Sequence, residues 1–141
     1  MAVRAVFDTV VFVRALINPR GAWGRLVSEL SDRYELVLSP AIMREVLEVL
    51  RRPAIVSKAP SLRRMRFENI LALFAEAEVV EPKRTVAISR DPKDDMFIET
   101  ALEGGAGFVV SEDKDLLVLD GHEGLRVLGC AEFIELLESP G

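Results

Sequence analysis

The stretch Val3-Arg-Ala-Val-Phe-Asp-Thr9 sets the reading of the whole chain. Val3 to Phe7 is apolar except for Arg4, the pattern of a short buried strand. From Thr9 to Ile17 the apolar residues become helix-compatible, up to the turn Asn18-Pro-Arg-Gly21. Ala22 to Asp32 is a second helical stretch, with Trp23, Leu26, Val27 and Leu30 at helical spacing. Tyr34 to Leu38 is a strand. Ser39-Pro40 follows as an N-cap with proline at the first helical position, and that helix runs to about Arg52, before Pro53. A longer helix fills Ser61 to Ala77, and Glu78 to Glu81 is a short strand stopped by Pro82. Asp94 to Gly104 is helical with a glycine stop, Gly107 to Ser111 a strand, and Asp113 to Leu119 one or two helical turns. Leu125 to Leu128 and Cys130 to Glu138 complete the series as strand and helix. Strands alternating with helices throughout imply a parallel sheet covered on both faces. Ligands bind such sheets at the carboxyl ends of the strands, near the point where strand order reverses.

The chain has 141 residues, the size of one ordinary domain, and is read as a single domain over 1–141. Half of it is hydrophobic and 29% is charged, which argues against disorder. The longest apolar run, Ile70 to Ala75, falls far short of the roughly 20 residues that cross a bilayer. No export signal is visible ahead of Asp8, so a cytoplasmic protein without a membrane partner is expected. Cys130 is the only cysteine, which excludes an internal disulfide and any multi-cysteine zinc site.

Net charge is −5, but its distribution is uneven. Arg51, Arg52, Lys58, Arg63, Arg64 and Arg66 follow one another without an intervening acid, whereas ten acids between Asp91 and Glu123 meet only Lys93 and Lys114. A local basic patch can bind phosphates on an acidic protein, because screening confines each field to roughly 8–10 Å. A solvated helix face is the plainer account of such a run.

The strand ends carry the candidate chemistry. Asp8 ends the first strand and Asp113 lies just past Phe108-Val-Val110. In the helix after Pro40 the apolar residues define a buried arc, with Glu48 opposite it and Glu45 at its border, where a carboxylate can reach a cleft. In the later helix Asp95, Ile98 and Leu102 share one stripe, and an acid there is costly unless paired. Glu99 is assigned to the other side and set aside. Singly, Asp8 and Asp113 also fit the role of helix caps, and Asp94-Asp95 a helix start favoured by the macrodipole. Together they place several acids at one end of one sheet with no basic residue at a matching position.

Carboxylates that close raise each other's pKa and stay ionised together only around a cation. Oxygen-only ligands select hard ions such as Mg²⁺ or Mn²⁺. Such ions activate water and stabilise both oxygens of a phosphodiester displacement, so metal-assisted phosphodiester hydrolysis is expected. No phosphate-binding Gly-Lys-Ser/Thr loop and no Gly-x-Ser-x-Gly elbow occurs, and Gly104-Gly-Ala-Gly107 precedes a strand rather than following one. His122, the only histidine, has no triad partners, and Cys130 reads as a packing residue.

Four segments, Val-Phe-Asp8-Thr, Leu-Ser-Pro-Ala-Ile-Met-Arg-Glu45, Arg-Asp-Pro-Lys-Asp-Asp95-Met-Phe-Ile-Glu-Thr-Ala and Val-Val-Ser-Glu-Asp113-Lys-Asp115-Leu-Leu, come in an order that resembles the PIN domain. The nearest pattern is that of the VapC-like toxins of prokaryotic toxin–antitoxin pairs. The resemblance covers nearly the whole chain. It implies a three-layer α/β/α sandwich around a mainly parallel sheet of four to five strands. It also implies an endoribonuclease that hydrolyses single-stranded RNA with Mg²⁺ or Mn²⁺. Asp8, Glu45, Asp95 and Asp113 would then be the catalytic and metal-binding acids, with Asp115 a fifth ligand and Thr9 and Ser111 orienting them. Arg51, Arg52, Arg63, Arg64 and Arg66 would guide the RNA backbone. A homodimer held inactive by a cognate antitoxin is implied as well. One position departs from the pattern: Val10 stands where the family carries a small polar residue, often Asn, after Asp-Thr.

Two other classes compete. Phosphoryl transfer to Asp8, as in phosphatases of the haloacid-dehalogenase type or receiver domains, would want a second Asp at position 10 or a Lys after a late strand. The chain has Val10 and Ser111-Glu-Asp113 at these places. A non-catalytic module that binds RNA or protein is the other, and Val10 is its best support.

Overall fold

The computed structural model describes residues 3–57 and 63–139, apart from the side chains of Val56 and residues 63–67. Five parallel strands form the sheet: β1 (Arg4–Phe7), β2 (Glu35–Leu38), β3 (Glu78–Val79), β4 (Phe108–Val110) and β5 (Arg126–Leu128). Their spatial order is β3-β2-β1-β4-β5. The chain thus builds outward from β1 through β2 to β3, returns, and builds the other way through β4 to β5. The order reverses between β1 and β4. A crevice opens there at the carboxyl ends of the strands, because the connections diverge to either side.

Helices cover both faces, as the alternating pattern requires. On one lie α1 (Thr9–Ile17), α2 (Ala22–Val27), α5 (Arg63–Glu76) and α8 (Cys130–Glu138). Phe7 of β1 meets Phe12 of α1 and Phe133 of α8, with centroids 5.9 and 6.0 Å apart, and Phe12 packs edge-on against Phe74 of α5. Burying such rings accounts for much of the core. On the other face α6 (Asp95–Gly104) lies against β1, β2 and β4 and packs on α3 (Pro40–Leu50). The short helices α4 (Pro53–Val56) and α7 (Lys114–Leu117) complete the set. The result is a three-layer α/β/α sandwich on a five-stranded parallel sheet, as expected.

Departures from the sequence reading occur at element ends. The helix expected over Ala22 to Asp32 stops at Val27, where the Ser28 hydroxyl donates to the Gly24 carbonyl and a 3₁₀ turn follows at Ser31–Arg33. The helix from Pro40 ends at Leu50, and Pro53 opens α4 rather than only closing α3. The expected start of the next helix at Ser61 lies outside the described residues. The strand read over Glu78 to Glu81 is two residues long. Asp94 lies not in α6 but in the 3₁₀ turn Pro92–Asp94 ahead of it, and α6 ends on Gly105, whose φ of 63° is left-handed and suits glycine.

Candidate active site

The register of the two central strands builds the site. Phe7 pairs with Val110, and Asp8 N donates to the Val110 carbonyl at 3.0 Å. Asp8 and Ser111 therefore emerge side by side at the crevice. Asp8 caps α1, accepting from Val10 N at 3.2 Å on Oδ1. Its Oδ2 accepts from the Ser111 hydroxyl at 2.7 Å, and that hydroxyl accepts in turn from Asp113 N at 2.9 Å. Ser111 is fully buried, so its hydroxyl works as a fixed bridge between the two acids. Asp113 caps α7 through Asp115 N. Capping and clustering coexist, since each Asp gives one oxygen to its helix.

A further carboxylate joins them. Asp94, Asp113 and Asp115 each offer an oxygen within 4.8 Å of the others. Asp94 is buried and its Oδ2 has no hydrogen-bond partner among the described residues. The sequence pattern assigns this role to Asp95. Asp95 Oδ1 instead accepts from Ile88 N and Ser89 N, at 3.2 and 2.8 Å. In the structure Asp94, Phe97 and Ala101 are all buried, whereas Leu102, which shares a stripe with Asp95, is half-exposed. Glu99, set aside on the sequence, lies one turn beyond Asp95 and accepts from Val86 N at 2.9 Å.

Glu45 is half-buried and its Oε2 accepts a short hydrogen bond from the Thr9 hydroxyl. It lines a cleft of about 770 Å³ with Arg44, Arg52, Lys93 and Asp95. Arg52 is exposed and pairs loosely with Glu48 at 3.6 Å, and Arg51 is exposed outside the cleft lining. Lys58 and the side chains of Arg63, Arg64 and Arg66 lie outside what the structure describes. Arg44 and Lys93, which the charge run did not single out, are the cations that accompany Arg52 in the cleft. Val10 is exposed beside Asp8 and brings no polar group to it.

The electrostatics follow from burial and crowding. Burial raises the Asp8 pKa above the ordinary carboxylate value, and the Asp113 and Glu45 charges push the same way against the Ser111 and Val10 hydrogen bonds. Asp94 is pushed up to about 7, by burial first, then by Asp113, Asp8 and Asp91. No lysine or arginine pairs with any of these acids among the described residues. An unpartnered buried carboxylate oxygen facing other carboxylates suits a hard cation, which supplies the missing positive charge.

Comparison with known proteins agrees with this geometry. The PIN domain family model matches residues 4–115. An uncharacterized protein of Methanocaldococcus jannaschii is 31% identical over 133 residues, covering 89% of this chain and 81% of that one. Among solved structures, PAE2754 from Pyrobaculum aerophilum aligns with a TM-score of 0.61 at 13% identity, over 97% of this chain and 90% of its own. A chain of VapBC2 from Rickettsia felis, bound to a DNA fragment from their promoter, aligns with a TM-score of 0.55 at 12% identity, over 89% and 98%. These two share the fold. By the family match, which spans most of its length, the chain belongs to the PIN domain family.

Proposed function

We propose that the protein is a cytoplasmic, divalent-metal-dependent endoribonuclease acting on single-stranded RNA, and the toxin of a toxin–antitoxin pair. The observation that carries the reading is the meeting of Asp8, Asp94, Asp113 and Asp115 at the switch point of the sheet, with Asp94 Oδ2 buried and without a partner among the described residues. These four would hold Mg²⁺ or Mn²⁺, with Asp94 in the place first given to Asp95. Once bound, the ion would supply an activated water and charge stabilisation for the scissile phosphodiester.

The chain's own groups divide the remaining work. The Ser111 hydroxyl fixes the Asp8 carboxylate, and the Asp113 amide fixes Ser111. Glu45 has one oxygen taken by Thr9, and its Oε1 faces no donor among the described residues, which leaves it able to accept a proton from a water in the cleft. Arg44, Arg52 and Lys93 supply phosphate contacts. The VapBC2 fold likeness supports an antitoxin partner as part of the same reading, to which the family resemblance adds a homodimer.

With Mn²⁺ present, the purified protein is expected to cut single-stranded RNA, and Asp8→Asn is expected to stop cutting while circular dichroism stays native. A wild type that binds RNA yet cuts none under Mg²⁺, Mn²⁺ or Co²⁺ would instead establish a non-catalytic binding module, the reading that Val10 favours.

A further inference from the structure

The segment joining β3 to α6 belongs to no strand, yet its backbone is held along its length. Lys83 N donates to Glu103 Oε1 at 3.0 Å, Val86 N to Glu99 Oε2 at 2.9 Å, and Ile88 N and Ser89 N to Asp95 Oδ1. Asp95, Glu99 and Glu103 recur at i, i+4 and i+8, one face of α6. Their partners fall in descending order, so the segment runs antiparallel along the helix. Three like charges at that spacing repel one another on a bare helix; here each meets at least one backbone amide, and such bonds to an ionised acceptor are the stronger kind.

This arrangement sorts the side chains. Val86 is buried and Ile88 half-buried, while Thr85 and Ala87 are exposed, and Thr85, Val86 and Ala87 together wall the cleft that Glu45 lines. Residues 82–93 also carry Lys83, Arg84, Arg90 and Lys93 against the single acid Asp91. Because backbone amides satisfy the α6 acids, those acids consume none of the cations. Arg84 pairs with Glu123, but Arg90 and Lys93 form no ion pair among the described residues. Lys93 lines the cleft whose other wall carries Arg44 and Arg52 of α3 and its C-terminal turn.

We propose that residues 83–93 are a fixed strap forming one wall of the groove for a single-stranded nucleic-acid backbone, with Asp95, Glu99 and Glu103 as its positioning residues. The nature of the ligand rests on the nuclease reading above; the ladder of amides does not. Tying the strap by its main chain leaves Lys93 for phosphates and holds the wall at a set distance from Glu45.

The test compares the wild type with Glu99→Ala, Glu99→Gln and Lys93→Ala. Binding of a short labelled single-stranded RNA is read by anisotropy in Ca²⁺, Mn²⁺ affinity by calorimetry, and the strap amides by hydrogen exchange. Glu99→Ala should speed exchange at Val86 and weaken RNA binding about tenfold with Mn²⁺ affinity unchanged. Glu99→Gln, whose amide oxygen accepts the same N–H, should restore most of the binding. Lys93→Ala should lower the salt slope by about one without altering exchange. Faster exchange in Glu99→Ala with undiminished RNA affinity would overturn the proposal alone, as would unchanged exchange or a parallel loss of Mn²⁺ affinity. A wild type with no RNA affinity would bring it down together with the nuclease reading.

Discussion

The two ends of one sheet treat acidic residues in opposite ways. At the amino end Arg4 of β1 reaches Glu35 at 2.8 Å and the neighbouring Glu78, and donates to the Gly104 carbonyl at 2.7 Å. The strand register sets Arg4 opposite Glu35, Glu78 lies on the next strand opposite Val37, and the two acids hold the Arg4 pKa above its ordinary value. That end is electrically closed. At the carboxyl end Asp8, Asp94 and Asp113 crowd together with no cation among the described residues, and burial drives Asp94 up to about 7. One end uses charge to fasten strands; the other keeps charge uncompensated, which costs stability and prepares a site for a cation.

The largest expected effect comes from breaking the open end. Asp113→Asn should lower RNA cleavage by about two to three orders of magnitude, the scale of losing one preorganised electrostatic contact. Removing a charge from an uncompensated group should at the same time raise the melting temperature of the metal-free protein. A lower melting temperature would show that the acids are already neutralised.

The second effect sharpens the contrast through pH. The carboxyl of Asp94 titrates near 3.8 in the unfolded chain and near 7 in the fold, so the folded state binds the proton more tightly between those values. The stability this supplies is complete below about pH 4 and is lost as pH rises through about 7. Asp94→Asn cannot lose it. The melting temperature of Asp94→Asn minus that of the wild type, both metal-free, should therefore grow by a few degrees (~2–6 °C) from pH 5 to pH 8. A flat difference would contradict the raised value.

The smallest effect belongs to the closed end. Its ion pairs are half-exposed, so Arg4→Met should cost only about 1–2 kcal/mol, including the bond to Gly104, measured by urea unfolding. Mn²⁺ affinity should not move. A change in metal binding would mean that the two ends are coupled through β1.

Much of this was legible in the sequence because period and position carry it. Val3 to Phe7 followed by Asp8, and Phe108 to Val110 followed by Ser111 and Asp113, announced parallel strands ending in acids. What the sequence could not settle was which of two adjacent acids turns inward. Asp94 and Asp95 are both buried, and their roles part only because a 3₁₀ turn rotates Asp94 towards Asp113 while the first turn of α6 gives Asp95 to the strap. Setting Glu99 aside on its helical position misses its role for a related reason: its partner is a backbone amide, Val86 N, which leaves no trace in composition. Short polar contacts such as Thr9 with Glu45 join residues 36 positions apart, a separation that only the folded α1–α3 contact closes.

The central claim is that the open end binds a divalent cation through Asp94 and its neighbours. Calorimetric titration of Mn²⁺ into metal-free wild type, Asp94→Asn and Asp95→Asn tests it most directly. The account predicts binding with proton release in the wild type, about 10–100-fold weaker binding in Asp94→Asn, and near wild-type affinity in Asp95→Asn. No heat of binding in the wild type, or an affinity lost in Asp95→Asn and kept in Asp94→Asn, would contradict it.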